Sequence, residues 1–305
     1  MNGPDLAWAG PACYPNLVGS VESSLERAAR ERGAALMGIV NTTPDSFYDG
    51  GRYLAQTAAV ARVDELVDQG ADILDIGGES SRPGSEPVPP REQISRIEAA
   101  LGRAVELGRA LVSVDTASPE VADYALSRGA DLINDVSCLA DEGLAAVVAE
   151  RQAILILMHS RGPMARMSGY STYPEQGYRD VVEDVMREWC QARDRAVSKG
   201  LDAGRVYFDP GLGFNKSARH SFTLLARLGH FARLGVPCVV GPSRKSFISS
   251  VDGSGPEERL GGTVAACLLS VQRGARVLRV HDVPAVRQAL LVARATEELE
   301  RGGDA

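Results

Sequence analysis

The chain has 305 residues, 44% of them hydrophobic and 24% charged, with a formal net charge of −7 and an isoelectric point near 5.3. That is enough apolar material for one large α/β domain or two smaller ones, and the acidic balance argues against general nucleic-acid affinity. An anionic ligand would need a local cluster of basic groups.

Residues 1–34 open rich in Gly and Pro and carry a short helical pattern over 22–32. The start, MNGPDLAWAGPACYP, lacks the basic-then-apolar pattern of a secretory signal, and no apolar run approaches the ~20 residues of a membrane span. From residue 35, short apolar runs alternate with helical patterns. The runs are ALMGIV (35–40), DILDI (72–76), LVSVD (111–115), DLIND (131–135), AILILMH (153–159), RVYFD (205–209), VPCVVG (236–241) and ARVLRV (275–280). Near-continuous apolar runs are what strands covered on both faces look like. The helical patterns include 57–70, 120–129 and 183–200, several closing on a glycine suited to a helix C-terminus. Eight such units with no change of composition predict a single (β/α)8 TIM barrel over 35–295, with an N-terminal extension (1–34) and a tail (296–305); a doubly wound open sheet is the alternative. Cys13, Cys138, Cys190, Cys238 and Cys267 form no CxxC pair, and most sit in apolar runs. They read as reduced thiols of a cytoplasmic protein without membrane or nucleic-acid partners.

Polar residues fall at nearly every strand end: Asn41; Asp75 followed by GGESSRPG; Asp115; Asn134 and Asp135; His159; Asp209 followed by PGLGF; SRKSF (243–247); and Arg279, His281 and Asp282. Each has a bland reading alone, Asp135 as a cap and His159 as a hydrogen-bonded rim histidine. Together they line one barrel mouth. Carboxylates and an amide (Asp115, Asn134, Asp209) suit a heterocycle rich in N–H donors, whereas Arg82, Lys245, Arg279 and His281 suit phosphate or carboxylate oxygens. The ligand has a ring at one end and an anion at the other. No HExxH, Walker loop or GxSxG elbow is present, and the glycine spacing of PGLGFNKS is wrong for a phosphate loop.

NTTPDSFYDGG (41–51), DILDIGGESSRPGSEPV (72–88), SVDT (113–116), LINDVS (132–137), LMHSRG (157–162), DPGLGFNKS (209–217), GPSRKSF (241–247) and RVHDV (279–283), in this order, closely resemble the dihydropteroate synthase family. The resemblance implies a TIM barrel that joins para-aminobenzoate to 6-hydroxymethyl-7,8-dihydropterin pyrophosphate, releasing pyrophosphate with the help of Mg²⁺. It implies a pterin-binding set of Asp115, Asn134, Met158, Asp209 and Lys245, and a pyrophosphate clamp of Ser81, Arg82, Arg279 and His281. Phe47, Pro83 and Ser246 would adjoin the para-aminobenzoate, Asn41 would hold Mg²⁺, and catalysis would fall to Lys245, Arg279, His281 and Asp115. It also implies a homodimer, a sulfonamide target, and closure of the NTTPDSFYDGG loop over the mouth. Three positions depart from the family's usual residues: Thr42 for an apolar residue, Ser81 for threonine and Asn215 for glycine. Two other readings stay open here, a corrinoid-dependent methyltransferase barrel and a homologue that binds pterins without turnover.

Overall fold

The computed structural model describes residues 19–42, 51–80, 84–162, 169 and 171–302. Eight parallel strands, β1 (Ala35–Asn41), β2 (Ile73–Gly77), β3 (Leu111–Asp115), β4 (Leu132–Asp135), β5 (Ile154–Met158), β6 (Val206–Asp209), β7 (Cys238–Val240) and β8 (Ala275–Val280), follow one another in sequence order. β8 pairs with β1 and closes the barrel, which settles the choice against an open sheet. Each apolar run of the sequence became a strand within two residues of its expected bounds.

Outward residues of the strands, such as Leu36, Val40, Leu74, Ile76, Val112 and Val114, pack under the surrounding helices in one continuous apolar layer. These helices are α2 (Gly51–Asp68), α3 (Pro90–Leu107), α4 (Pro119–Ser127), α5 (Gly143–Glu150), α6 (Val181–Ser198), α7 (Ala218–Ala226), α8 (Ser246–Asp252), α9 (Leu260–Gln272) and α10 (Val283–Gly302). Their starts follow local chemistry: Ser118 accepts from Val121 N ahead of Pro119, and Asp180 accepts from Val182 N and Glu183 N.

Inward residues alternate with the outward ones, and their character changes along the barrel axis. At the N-terminal end Ala35, Met37, Ile73, Leu111, Leu132, Ile154, Ile156, Tyr207, Val239 and Val277 form a separate apolar cluster. Helix α1 (Gly19–Arg32) completes that cluster with Val21, Leu25 and Ala28. Arg32 pairs with Asp72, whose Oδ2 also accepts from Leu36 N at 2.7 Å. The helix expected within an N-terminal extension is thus the floor of the barrel. At the other terminus, the boundary expected at 295 falls inside α10. Above the apolar layer the inward residues turn polar, and the site begins there.

Candidate active site

The register carries the polar layer round the barrel: Asn41 lies opposite Gly77, Gly77 opposite Asp115, Asp115 opposite Asn134, and Met158 opposite Asp209. At its centre is Asp75, fully buried, whose carboxylate accepts from Ser113 Oγ at 2.7 Å, Asn134 Nδ2 at 3.1 Å and Arg279 Nε at 2.6 Å. Arg279 donates a second bond, from Nη2 to Asp115 Oδ2 at 2.9 Å. Two nitrogens of the guanidinium are committed to carboxylates inside the barrel, which fixes its plane. Burial raises the Asp115 carboxyl to about 7, with Arg279 opposing and Asp75, Asp135 and Glu79 reinforcing.

Across the mouth, Asp209 ends β6 and is nearly enclosed. Burial pushes its carboxyl upward, against Lys245, the Gly211 N–H and Lys216. Gly211 N donates to Asp209 Oδ1 at 2.7 Å. Gly211 has φ +67°, and a Cβ there would stand 2.2 Å from the His159 carbonyl oxygen, so only glycine fits this turn. Lys245 donates to Leu212 O at 2.6 Å and lies 4.3 Å from the centre of the Phe214 ring. Burial pulls its amine down to about 7, opposed by Asp209. Met158 packs with Phe214 beside it. Asp115 and Asn134 are thus neighbours across β3 and β4, Met158 and Asp209 across β5 and β6, and Lys245 follows β7 within reach of the Asp209 charge.

The anion end is built differently from its sequence reading. His281 hydrogen-bonds through Nδ1 to Ser243 Oγ at 2.9 Å, and the same hydroxyl accepts from His281 N at 3.2 Å. Where the Ser243 proton goes to Nδ1 the imidazole proton sits on Nε2, directed away from Ser243; the hydroxyl, with two lone pairs, can instead accept from both N and Nδ1–H. Burial, with Arg279 and Arg244 nearby, lowers His281 to about 4. The sequence grouped it with the cationic donors; the structure holds it as a neutral N–H donor. Asn41, His281, Arg62, Arg244 and Asp282 line a cleft of about 910 Å³. Arg244 forks onto Asp282 at 2.9 and 2.7 Å and reaches Glu257 at 2.6 Å.

Asn41 sits exposed at the end of β1. No group of three His, Cys, Asp or Glu that could hold a metal occurs among the described residues. A single amide oxygen fits a Mg²⁺ that arrives with substrate phosphates and keeps its waters, not a resident ion in a protein cage. Ser246 starts α8 and donates to Ser171 Oγ at 3.0 Å. Phe47, Ser81, Arg82 and Pro83, with Cys13, lie outside the described residues.

Two of the three departures from the family pattern have structural accounts. Thr42 is buried, and both its N and Oγ1 donate to Gly77 O, at 3.0 and 2.9 Å, tying β1 to the end of β2. Asn215 adopts φ +47°, and its Oδ1 accepts from Ser160 Oγ at 2.8 Å and Arg161 N at 3.2 Å. A side-chain tether thus replaces the glycine. Asp135 is the cap foreseen for it: its Oδ1 accepts from Ser137 N and Oγ, and its Oδ2 from Leu139 N. His159 is fully buried between Glu188 and Lys216, the bland reading of that residue. The sequence showed Asp75 and Ser243 at strand ends without their partners, and Lys216 only inside the DPGLGFNKS stretch, with no signal for a role of its own.

Residues 37–281 match the family described as pterin binding enzyme. A dihydropteroate synthase of a Synechocystis species is 41% identical over 85% of this chain and 89% of its own length. A probable bifunctional folylpolyglutamate synthase/dihydropteroate synthase of Haloferax volcanii is 43% identical over 88% of this chain, which spans only 31% of that longer protein. Among solved structures, Xanthomonas albilineans dihydropteroate synthase with 4-aminobenzoic acid superposes with a TM-score of 0.80 at 43% identity, covering 87% of this chain and 93% of that one. With a closed barrel, a polar layer at its C-terminal mouth and these similarities over most of its length, the chain belongs to the pterin-binding enzymes, in the family of the dihydropteroate synthases.

Proposed function

We infer that the protein is a transferase of folate biosynthesis, condensing 6-hydroxymethyl-7,8-dihydropterin pyrophosphate with para-aminobenzoate to give 7,8-dihydropteroate and pyrophosphate. The observation that carries this is the polar layer within an otherwise apolar barrel. Asp209, Asn134 and Asp115 offer acceptors to a flat ring, while Arg279, His281 and Lys245 supply donors above them. An ionised Asp209 accepts two hydrogen bonds from the amino-pyrimidine edge, the charge-assisted kind. Asn134 is oriented by Asp75, Met158 and Phe214 flank the ring, and Lys245 covers it.

At the other end, the reaction needs the leaving oxygen's charge held before it develops. Arg279, its plane fixed by two carboxylates, presents its remaining nitrogen, and His281 presents its Nε2–H; Ser81 and Arg82 join them in this reading. A donor of this sort is worth roughly 2.7–4 kcal/mol of barrier. Mg²⁺, held by Asn41 and the substrate, would neutralise phosphate charge. Phe47, Pro83 and Ser246 adjoin the para-aminobenzoate.

A cytoplasmic homodimer completes the proposal. It is supported by four free cysteines among the described residues and by exposed Phe222, Val251, Leu260 and Leu269 on the neighbouring helices α7, α8 and α9. Among the described residues, no helix is long and apolar enough to cross a membrane. The test is pyrophosphate release by the purified protein, with each substrate alone and both together, with and without Mg²⁺. Release that needs both substrates and rises with the metal is expected. Pterin binding without release would leave a binding-only homologue.

A further inference from the structure

Behind the Asp209 turn lies a charge for which the reaction as described has no use. Lys216 is 0% exposed, and its Nζ has three acceptors around it: His159 Nδ1 at 3.0 Å, His159 O at 3.2 Å and Phe214 O at 3.0 Å. The far side of the imidazole fixes the roles. His159 Nε2 lies 3.0 Å from Glu188 Oε2. Burial works to raise the Glu188 carboxyl, but hydrogen bonds from Arg161 and His159 outweigh it and hold it well below the usual carboxylate range. An ionised carboxylate only accepts, so the imidazole proton is on Nε2 and the Nδ1 lone pair faces Lys216. Three acceptors around one nitrogen match an ammonium with three N–H donors; a neutral amine would leave one of them unserved. Burial pulls this amine down to about 7 while Asp209 draws it up, and its three hydrogen bonds favour the charged form.

Position gives the ammonium its use. His159 N donates to Asp209 O at 2.9 Å, Gly211 N donates to Asp209 Oδ1, and Lys216 Nζ is 3.2 Å from where a Cβ on Gly211 would stand. The groups facing the Asp209 carboxylate are Lys245 from the loop after β7, Arg279 from β8, Lys216 from its own loop, and the Cys238 thiol of β7. Lys245 is only half-buried and donates to Leu212 O, and Arg279 is bound to Asp75 and Asp115. Burial pushes the Cys238 thiol well up, so it stays neutral. Lys216 is the enclosed cation of the group.

We propose that Lys216 is a positioning residue for recognition of the pterin ring: an enclosed ammonium that holds the Asp209–Phe214 loop against the end of β5 and supplies a fixed positive charge behind the carboxylate that reads the ring. This rests on the assignment of Asp209 to the ring given above. The charge is balanced outward, since Glu188 also takes Arg161 Nε at 2.8 Å, and the Arg161 guanidinium stacks 3.7 Å from the Tyr178 ring centre.

The test is calorimetric titration of the full-length protein and its K216M variant with 6-hydroxymethyl-7,8-dihydropterin between pH 6 and 9. The readout is the ratio of the two affinities, because Lys245 and Arg279 act on Asp209 in both proteins. K216M is expected to bind at least tenfold more weakly at pH 6.5 and to recover towards pH 9, as an Asp209 deprived of its counter-charge gives up its proton. The KM for para-aminobenzoate stays within twofold. A loss equal at every pH would reduce Lys216 to packing and overturn the counter-charge; unchanged affinity would overturn the whole proposal. D209N separates the two readings. If it binds the dihydropterin as well as the native protein, the ring assignment fails and the proposal falls with it. If K216M does not fold, nitrogen-15 NMR of the lysine side chains of the native protein decides. A slowly exchanging Lys216 ammonium at pH 6 is expected, and a neutral amine at that pH refutes it.

Discussion

Asp75→Asn removes one charge from the polar layer while keeping the side chain's volume. The native carboxylate, 0% exposed, serves three donors: Ser113 at 2.7 Å, Asn134 at 3.1 Å and Arg279 at 2.6 Å. Asparagine keeps one oxygen and turns an NH2 toward groups that are themselves donors. Removing one partner of a buried ion pair costs ~3–5 kcal/mol. Arg279 retains Asp115 at 2.9 Å, so the lower end applies, about 3 kcal/mol. At ~2–4 °C per kcal/mol, Tm falls by roughly 6–12 °C. Asp115 also changes. Its carboxyl stands at about 7 partly through repulsion by Asp75, so in the variant it moves down and has Arg279 to itself. Thermal unfolding and the pH profile of kcat/KM test both effects together. A lower Tm and an acid limb displaced to lower pH are expected. A Tm within about 2 °C of native, with the limb unmoved, would refute the coupling of Asp75, Arg279 and Asp115.

Asn215→Gly should lose the tether to Ser160 and Arg161 but also the Cβ strained at φ +47°, whereas Asn215→Ala loses the tether and keeps that Cβ. The alanine variant should be the less stable by about 1–2 kcal/mol in denaturant unfolding, and equal midpoints would dismiss the backbone argument. Gly211→Ala puts a carbon 2.2 Å from the His159 carbonyl and forces the Asp209 turn to move; pterin affinity should fall more than tenfold, and native affinity would show the turn to be pliable. His159, lowered to about 4 by burial and Lys216, stays neutral in the fold while the unfolded chain binds a proton at its ordinary value of 6.5. Native stability therefore drops as pH falls from 6.5 to 4, by about 3 kcal/mol at ~1.36 kcal/mol per unit. His159→Asn lacks that term, so the stability gap between the two proteins should narrow on acidification; a gap constant with pH contradicts a neutral buried imidazole.

Strand positions were legible because a parallel barrel buries both faces of every strand, leaving apolar runs such as ALMGIV and AILILMH. The mouth was legible too, because polar residues ending those runs have nowhere else to converge. Pairings were not. Nothing local tells that Lys216 meets His159, 57 residues away, or that Asp75 rather than solvent serves Asn134. Glu188 sits in a helix dense with charge, EDVMREWCQARDRAVSKG, where one carboxylate that turns inward looks like all the others. The charge state of His281 was also out of reach, since it is set by burial and by Arg279 and Arg244 rather than by residue type. Helix α1 was visible as a pattern over 22–32, but its apolar positions do not say which end of a barrel they fill.

That helix turns the barrel from a tube into a cup. Val21, Leu25 and Ala28 pack into the ring of Met37, Ile73 and Tyr207 and close that end among the described residues. Two substrates and two products must share one rim. In the proposed reaction, a ring held by Asp209 and Asn134 lies below anything that arrives later, so it would be seated first. An acceptor amine that came early would block the way down. On that reading the sealed base would impose a queue: the pterin enters before its partner, and the joined product clears the rim before the next pterin descends.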